Sequence, residues 1–480
     1  MELTQTINSE IVDLLIERGK KRGSKDAIVW QDHILSYDEL EQRSNKVRDL
    51  LTSAGVANGS VVALLIEDTA ELVASIIGVL KANCVFAPLD TKYPVNRLKA
   101  MVSTAEPQGF IVEKGFEEAA EQIAANNRSD CSIIVIKAGQ AVHVRKIPHC
   151  ASFSGEELKV SNDNPKDLGY IYFTSGSTGK PKGIAGSRRG LLHFIDWEIE
   201  TCGVNENFRV SQLTPPSFDP FLRDIFLPLC AGATLSLPPD RETALDSEKL
   251  VRWIDSAQIN LMHCTPSLFR SILNEPLSPD SFQSLKYILL AGEPIFPADL
   301  KKWYSVFGDR IQLVNLYGPT ETTLAKFCYF IQPADQERRL IPVGKPIRGA
   351  KALVLDEKME VCPPGVVGEI FIRTPYRSHG YYRQPELTRE SFIRNPFNVN
   401  DPQDLIYRTG DIGRVTLNGD FELIGRLDNQ VKIRGVRVEL GEIEKLLRDH
   451  EDISEMAAKW GADIAARLLD QPVKGQPWRS

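Results

Sequence analysis

Apolar positions near the start of the chain change period several times. Leu40, Val47, Leu50 and Leu51 recur at helical spacing ahead of Gly55, and the apolar run 61–66 that follows reads as a strand. A helix over 71–82 and a strand over 85–89 come next, so residues 8–160 alternate helix with strand. Such alternation predicts a parallel sheet with helices on its faces. Residues 184–330 repeat the scheme, with strands predicted near 210–213, 233–237, 260–264, 286–290 and 312–316. From about 341 to 425 the texture shifts to glycine, proline and short alternating strands such as 352–355 and 368–373, which predicts a small β-rich subdomain. A charged segment, 432–447, opens one more unit.

The chain therefore reads as α/β. Two α/β subdomains, about 8–183 and 184–340, and a β-rich subdomain, about 341–425, make a large core over residues 1–425, with 426–480 as the start of an incomplete C-terminal domain. The length of 480 residues suits about three domains or subdomains. A net charge of −7 and a pI of 5.7 give no basis for a nucleic-acid surface. The eight cysteines stand singly with no C-x-x-C, which indicates neither a zinc site nor a disulfide framework but thiols in a reducing cytoplasm. The first residues carry no basic stretch followed by an apolar one, and no 18 apolar residues run together, so neither secretion nor a membrane span is expected.

The densest chemistry lies at 172–183, YFTSGSTGKPKG. Gly176, Gly179 and Gly183 let the backbone approach an anion, Thr174, Ser175, Ser177 and Thr178 offer hydroxyl donors, and Lys180 and Lys182 bring positive charge. The apolar stretch 168–173 before them reads as a buried strand, so a strand feeds a loop built for a nucleoside triphosphate. This is not the P-loop, which needs glycine where Thr174 stands and a hydroxyl where Pro181 stands. A plain flexible linker is the bland alternative; two lysines flanking a proline argue against it.

Four more clusters follow: NLYGPTETT at 315–323, YRTGD at 407–411, GRLDNQVKIRG at 425–435 and ELGEIE at 439–444. In this order and at these separations the set closely resembles the adenylate-forming superfamily of acyl-CoA ligases, luciferases and nonribosomal peptide synthetase adenylation domains. LKA at 80–82 with Pro94 and Arg97, and LSYDEL at 35–40, resemble the synthetase branch in particular. The resemblance covers roughly residues 10–450. It implies attack of a substrate carboxylate on the α-phosphorus of ATP, giving an acyl-adenylate and pyrophosphate, then transfer to a thiol, with ATP and Mg2+ as cofactors.

Carried over residue by residue, the resemblance assigns catalysis to Thr174, Lys182, Thr320 and Glu321. The nucleotide falls to Thr174, Ser175, Gly176, Ser177, Thr178, Gly179, Lys180, Gly292, Glu293, Asn315, Tyr317, Thr320, Asp411 and Arg426. Glu321 is the metal ligand, since a hard cation takes carboxylate oxygen and few protein ligands. Asp428 matches the hinge about which the small domain turns. Each has a plainer reading: Asp411 as a turn residue, Glu321 solvated, Tyr317 packing, Asp428 an exposed loop aspartate.

The family's acyl-pocket positions fall on Asp219, Pro220, Arg223, His263, Leu289, Ala291, Leu316, Leu324 and Ala325. Asp219 before Pro220 is also a good N-cap, while in synthetase domains the matching aspartate binds the substrate's amino group. Arg223 lies one turn along on the same face, and its structural reading is a pair with Asp219 or Asp224. A guanidinium among leucines is unfavourable unless paired, and a substrate carboxylate would pair it bidentately. The expectation is an amino acid with two carboxylates, such as glutamate, aspartate or a methylated relative, loaded onto a carrier protein with a phosphopantetheine thiol.

Two departures stand out. Ser187, Arg188 and Arg189 occupy the place of a His-Arg pair. No Gly-Lys motif of the family's C-terminal domain follows Glu444, and Lys474 is a poor match, so slow adenylate formation with intact ATP binding is expected of this chain alone. The competing readings are an acyl-CoA ligase for a simple carboxylic acid, which Asp219 disfavours, and a noncatalytic docking module.

Overall fold

The computed structural model describes residues 10–125, 127, 130–137, 140–147, 167–174, 180–428, 430–433 and 436–439. Two large sheets carry the core. The first has seven strands in the spatial order Gln140–Ile147, Cys131–Lys137, Gly109–Glu113, Val61–Leu65, Val85–Pro88, Leu168–Thr174, Lys182–Ser187; its central pairs are parallel and its two outer pairs antiparallel. The second has nine strands and runs from Lys345–Pro346 through Phe327–Phe330, Gln312–Tyr317, Tyr287–Ala291, Leu261–Cys264, Arg209–Ser211 and Thr234–Ser236 to Asp26–Trp30 and His33–Ser36. A five-stranded antiparallel sheet, Lys351–Leu355 to Phe421–Arg426, forms the expected β-rich unit.

Helices fill the space between the two large sheets. Every residue from Ala70 to Leu80 in the helix Thr69–Lys81 is buried, as an all-round apolar helix must be. It lies against the helix Tyr37–Ser53, whose Leu40, Val47 and Leu51 face inward as their spacing predicts while Leu50 is half-buried. The contact is close enough that a Cβ on Gly78 would sit 2.5 Å from the Val47 Cβ. Both helices start on side-chain caps: Ser36 with Glu39 in a reciprocal capping box, and Asp68 accepting from the Glu71 N–H at 2.9 Å.

The chain does not divide between the sheets at 183/184 as the periodicity suggested. Asp26–Trp30 pairs in parallel with Thr234–Ser236, with Ile28 beside Leu235, and so belongs to the second sheet. The reason is coverage. Thr234–Ser236 is only three residues long, and Ala27 and Ile28, fully buried, continue its apolar surface. His33–Ser36 then closes the edge with Leu35 turned inward and His33 and Ile34 exposed. Strand Lys182–Ser187 likewise straddles the expected boundary and completes the first sheet. The hairpin Gln430–Ile433 with Val436–Glu439 is the last element described; most of the expected C-terminal domain, Lys474 included, lies outside the described residues.

Candidate active site

Three parallel strands of the second sheet end side by side at Cys264, Ala291 and Tyr317, and ligands of open α/β sheets gather at such carboxyl ends. Beyond Tyr317 the chain makes a tight reversal. Gly318 has no room for a Cβ, which would lie 2.4 Å from the Leu324 carbonyl oxygen. Thr320–Thr322 form a single 3-10 turn, and Thr323 and Leu324 are held at φ 67° and 56°, left-handed values that cost a non-glycine residue about 1–3 kcal/mol each. The Lys326 N–H then rejoins the ladder at the Tyr317 carbonyl, 2.8 Å away.

The reversal buries its own polar side chains. Glu321, Thr322 and Thr323 have no exposed surface. The Glu321 carboxylate accepts from the Tyr381 hydroxyl at 2.7 Å, and its backbone carbonyl accepts from the Ser378 N–H and hydroxyl at 3.0 and 2.7 Å. The reading of Glu321 as a solvated glutamate therefore fails. Thr320 donates its hydroxyl to Asp219 at 2.9 Å.

Across from this turn, Thr174 pairs with Lys182 at the mouth of the loop singled out in the sequence. Ser175, Gly176, Ser177, Thr178 and Gly179 lie outside the described residues; Lys180 is exposed, and the Lys182 ammonium stands 6.0 Å from the Tyr381 ring centroid. Lys182 and Tyr381 line a cleft of about 250 Å³ together with Tyr407, Thr409, Arg426 and Asp428.

Asp411 lies within the strand Leu405–Val415, so it is not a turn residue, and it accepts from the Tyr317 hydroxyl and from Arg426 Nη1 at 2.5 Å. The same guanidinium grips both oxygens of Asp428 at 2.7 Å. Tyr317, Asp411, Arg426 and Asp428 thus form one chain of contacts. The Tyr317 ring packs 5.3 Å from Phe327 and is nearly buried, which is the plainer reading of that residue, and burial with the Asp411 charge raises its phenol pKa well above the usual value. Asn315 donates to the Pro342 carbonyl at 2.8 Å. Gly292, at φ 94°, turns the chain after Ala291. Glu293 accepts from the Ser267 N–H at 2.8 Å and pairs with Arg270 at 3.3 Å, anchoring the helix Pro266–Leu273.

The residues expected at the acyl pocket lie on neighbouring elements. Asp219 makes no side-chain cap on the helix Pro220–Ala231; its backbone is helical, and its carboxylate turns to Thr320 instead, so the N-cap reading is corrected. Pro220 opens the first turn. Arg223 is buried with its Nε 3.8 Å from Asp224 Oδ1 and without a hydrogen bond at that nitrogen. The structural pair is therefore Arg223 with Asp224.

His263, fully buried, stands between two carboxylates: Nε2 is 3.1 Å from Glu198 and Nδ1 is 3.1 Å from Asp224. Burial alone would discharge the imidazole, but Glu198 and Asp224 together outweigh it and the nearby Arg223, and the His263 pKa is raised. Strand register sets His263 beside Leu289 and Ala291 beside Leu316, and Leu324 and Ala325 complete the apolar wall.

Sequence reasoning missed Glu198, Tyr381 and Lys326. Glu198 and Tyr381 carry no local signal. Lys326 did: a single lysine interrupts the otherwise apolar and aromatic run 324–331. It is fully buried, donates to the Thr323 carbonyl at 2.7 Å, and has its pKa pushed down to about 7 by burial, partly opposed by Asp219.

A protein-family model described as "AMP-binding enzyme" matches residues 15–382. Among curated relatives, a dimodular nonribosomal peptide synthase of Bacillus subtilis (strain 168) is 33% identical over 431 residues, 90% of this chain and 17% of the relative. Malpinin synthetase of Mortierella alpina is 34% identical over 444 residues, 92% of this chain and 5% of the relative. The chain thus spans a small part of the length of the curated relatives it matches. Among solved structures, NpsA-ThdA, an artificially fused adenylation-PCP di-domain from Klebsiella oxytoca, superposes with a TM-score of 0.76 at 25% identity, covering 92% of this chain and 84% of that one. The four-domain synthetase AB3403 bound to AMP and glycine gives 0.73 at 28% identity, covering 93% and 31%. No described helix is long and apolar enough to cross a membrane.

Proposed function

The chain belongs to the AMP-binding enzyme family, and on that premise we propose that it is an amino-acid-activating adenylation domain of a nonribosomal peptide synthetase. In this reading it joins an amino acid to AMP at the expense of ATP and passes the acyl group to the phosphopantetheine thiol of a carrier protein in the cytoplasm. The observation that carries the proposal is the buried reversal at 318–326, where Thr320 touches Asp219 while the neighbouring Glu321 carboxylate touches Tyr381, itself beside Lys182. One turn of chain thereby links the acyl pocket to the phosphate loop.

The residues suit the chemistry. Negative charge grows on the α-phosphate and the leaving pyrophosphate, and fixed donors aimed there lower the barrier. In this reading Lys182 and Lys180 would supply cations, Thr174 and Thr320 hydroxyls, and Asp411, paired with Arg426, would accept from the ribose hydroxyls. A Mg2+ bound by a triphosphate takes only one or two protein carboxylates, and in this reading Glu321 would supply one. When bound, the ion would neutralise phosphate charge. In this reading Asp428, which pairs with Arg426, would be the hinge.

For the substrate, the reading is an amino acid with a second carboxylate. Asp219 would take its ammonium group, and Arg223, whose buried Nε lacks a hydrogen bond, would take the carboxylate not being activated. Pyrophosphate exchange into ATP across the amino acids tests both levels. Glutamate, aspartate or a methylated relative should exceed leucine and phenylalanine, and Arg223→Ala should lower kcat/KM for the acidic substrate by about 30-fold or more, the scale of removing one partner of a buried charge pair. Equal turnover of leucine would remove the acidic-substrate reading, and exchange with no acid at all would remove the enzymatic one.

A further inference from the structure

We infer that Glu198 is a positioning residue for the acyl pocket: through His263 it draws Asp224 away from Arg223, and so keeps that guanidinium open to a carboxylate on the substrate. The inference rests on the reading that Arg223 receives such a carboxylate.

Four side chains on three elements make one buried line. Glu198 comes from the helix Arg188–Cys202, His263 from the strand Leu261–Cys264, and Arg223 and Asp224 from the helix Pro220–Ala231. All four are buried, and Glu198 and Asp224 have no exposed surface. Asp224 fixes the geometry. Its Oδ2 accepts from the Leu213 and Thr214 N–H groups at 3.2 and 3.0 Å, which pins the carboxylate and leaves Oδ1 between two neighbours. His263 Nδ1 stands 3.1 Å from that oxygen, while Arg223 Nε stands back at 3.8 Å.

Glu198 decides which neighbour prevails. A neutral imidazole has one N–H and one lone pair, so between two carboxylates it would turn that lone pair on one of them. In His263 both nitrogens face carboxylate oxygens at 3.1 Å, an arrangement that suits the doubly protonated ring. Take away Glu198, and the ring gives up a proton more readily. Asp224 then loses its nearer cation, and its free oxygen turns to Arg223, which it would occupy. As a plain core residue Glu198 is poorly served. Its Oε2 is buried without a hydrogen-bond partner among the described residues, and His263 Nδ1, Asp224 Oδ1 and Arg223 Nε likewise lack an aligned hydrogen bond, whereas a polar network built for stability alone would be satisfied.

The other titratable groups about this line leave its balance alone. Burial pushes up the thiols of Cys202, Cys264 and Cys328 and the phenol of Tyr172, so they stay uncharged. Asp219 faces Thr320, and Glu293 faces Arg270. Against burial, Glu198 and Asp224 raise the His263 pKa, in keeping with the geometry.

Pyrophosphate exchange into ATP by the full chain, with L-glutamate and L-aspartate at pH 6 and pH 8, tests the link. Glu198→Gln keeps the size and an acceptor but loses the charge, so His263 discharges at a lower pH. At pH 8 the KM for the acidic substrate should rise about tenfold, the scale on which a residue out of contact with a ligand modulates its binding, with kcat little changed. At pH 6 the imidazole regains its proton, and the gap from the unaltered protein should narrow. Added to Arg223→Ala, the same change should do nothing further, because the group it acts on is gone. His263→Gln breaks the link from the other side and should raise the KM about tenfold at both pH values. A KM that neither variant changes, a Glu198→Gln gap as wide at pH 6 as at pH 8, or one that persists beside Arg223→Ala overturns the inference alone and leaves Glu198 a support of the core. Equal exchange with leucine, or none with any acid, overturns the substrate reading beneath it, and the inference with it.

Discussion

Glu321→Ala should slow pyrophosphate exchange by about 10²–10³-fold in kcat, the scale on which one fixed charge aimed at a phosphoryl transition state acts. The argument is electrostatic. Glu321 has no exposed surface, so its carboxylate works in a dry setting where a charge is felt far more strongly than in water. Its anchor is redundant: the backbone carbonyl is held by Ser378 whatever the side chain, so the turn keeps its shape without the carboxylate. Glu321→Gln retains the size and the hydrogen bond from Tyr381 and loses only the charge. Equal slowing in both variants, with a higher Mg2+ concentration needed for half-maximal rate, is the expected result. A glutamine variant as fast as the unaltered protein would reduce Glu321 to a structural anchor for Tyr381.

The second large effect is on stability. Glu198→Ala should cost on the order of 3–5 kcal/mol, because it takes from the fully buried His263 one of the two carboxylates that favour its charged form. Glu198→Gln, which still accepts a hydrogen bond, should cost less. The pH dependence has a definite sign. Burial opposes the charged form of His263, but Glu198 and Asp224 prevail and its pKa is raised on folding. A raised folded value stabilises fully below the unfolded pKa of about 6.5, and that contribution is lost as pH climbs through the folded one. Lys326, with its pKa lowered to about 7, contributes the opposite slope in both proteins, so the difference between them isolates the histidine. Urea unfolding of the pair at pH 6 and at pH 8.5 measures it. A gap between the two proteins that does not shrink at the higher pH would show that His263 is not held as an imidazolium.

The parts of this molecule legible from residues are those where one local rule decides. The uniform apolar run at 61–66 became the strand Val61–Leu65 because a parallel strand buried on both faces needs nothing else. The segment after Tyr317 stood out through its motif, and there Thr320 meets Asp219 while Glu321 meets Tyr381. What stayed hidden depends on distant partners. Asp219 before Pro220 satisfies the capping rule, yet the carboxylate gains more from Thr320, a hundred residues away in the chain, than from the helix end. Glu198 lies on a helix with no motif and becomes intelligible only once strand register sets His263 in front of it. Nor could periodicity reveal that the first two strands leave their neighbours in sequence to serve the far sheet, since alternation records that a strand exists and not whom it joins.

That last arrangement bears on how such proteins can be recombined. Asp26–Trp30 and His33–Ser36 seal the outer margin of the layer that carries the proposed acyl pocket, so a graft excising 184–340 alone would part Leu235 from Ile28 and bare a run of unpaired amides. Exchanges of specificity between relatives ought therefore to tolerate crossovers outside both segments, or small swaps inside the pocket wall, better than a cut at the midpoint that the chain's own rhythm invites.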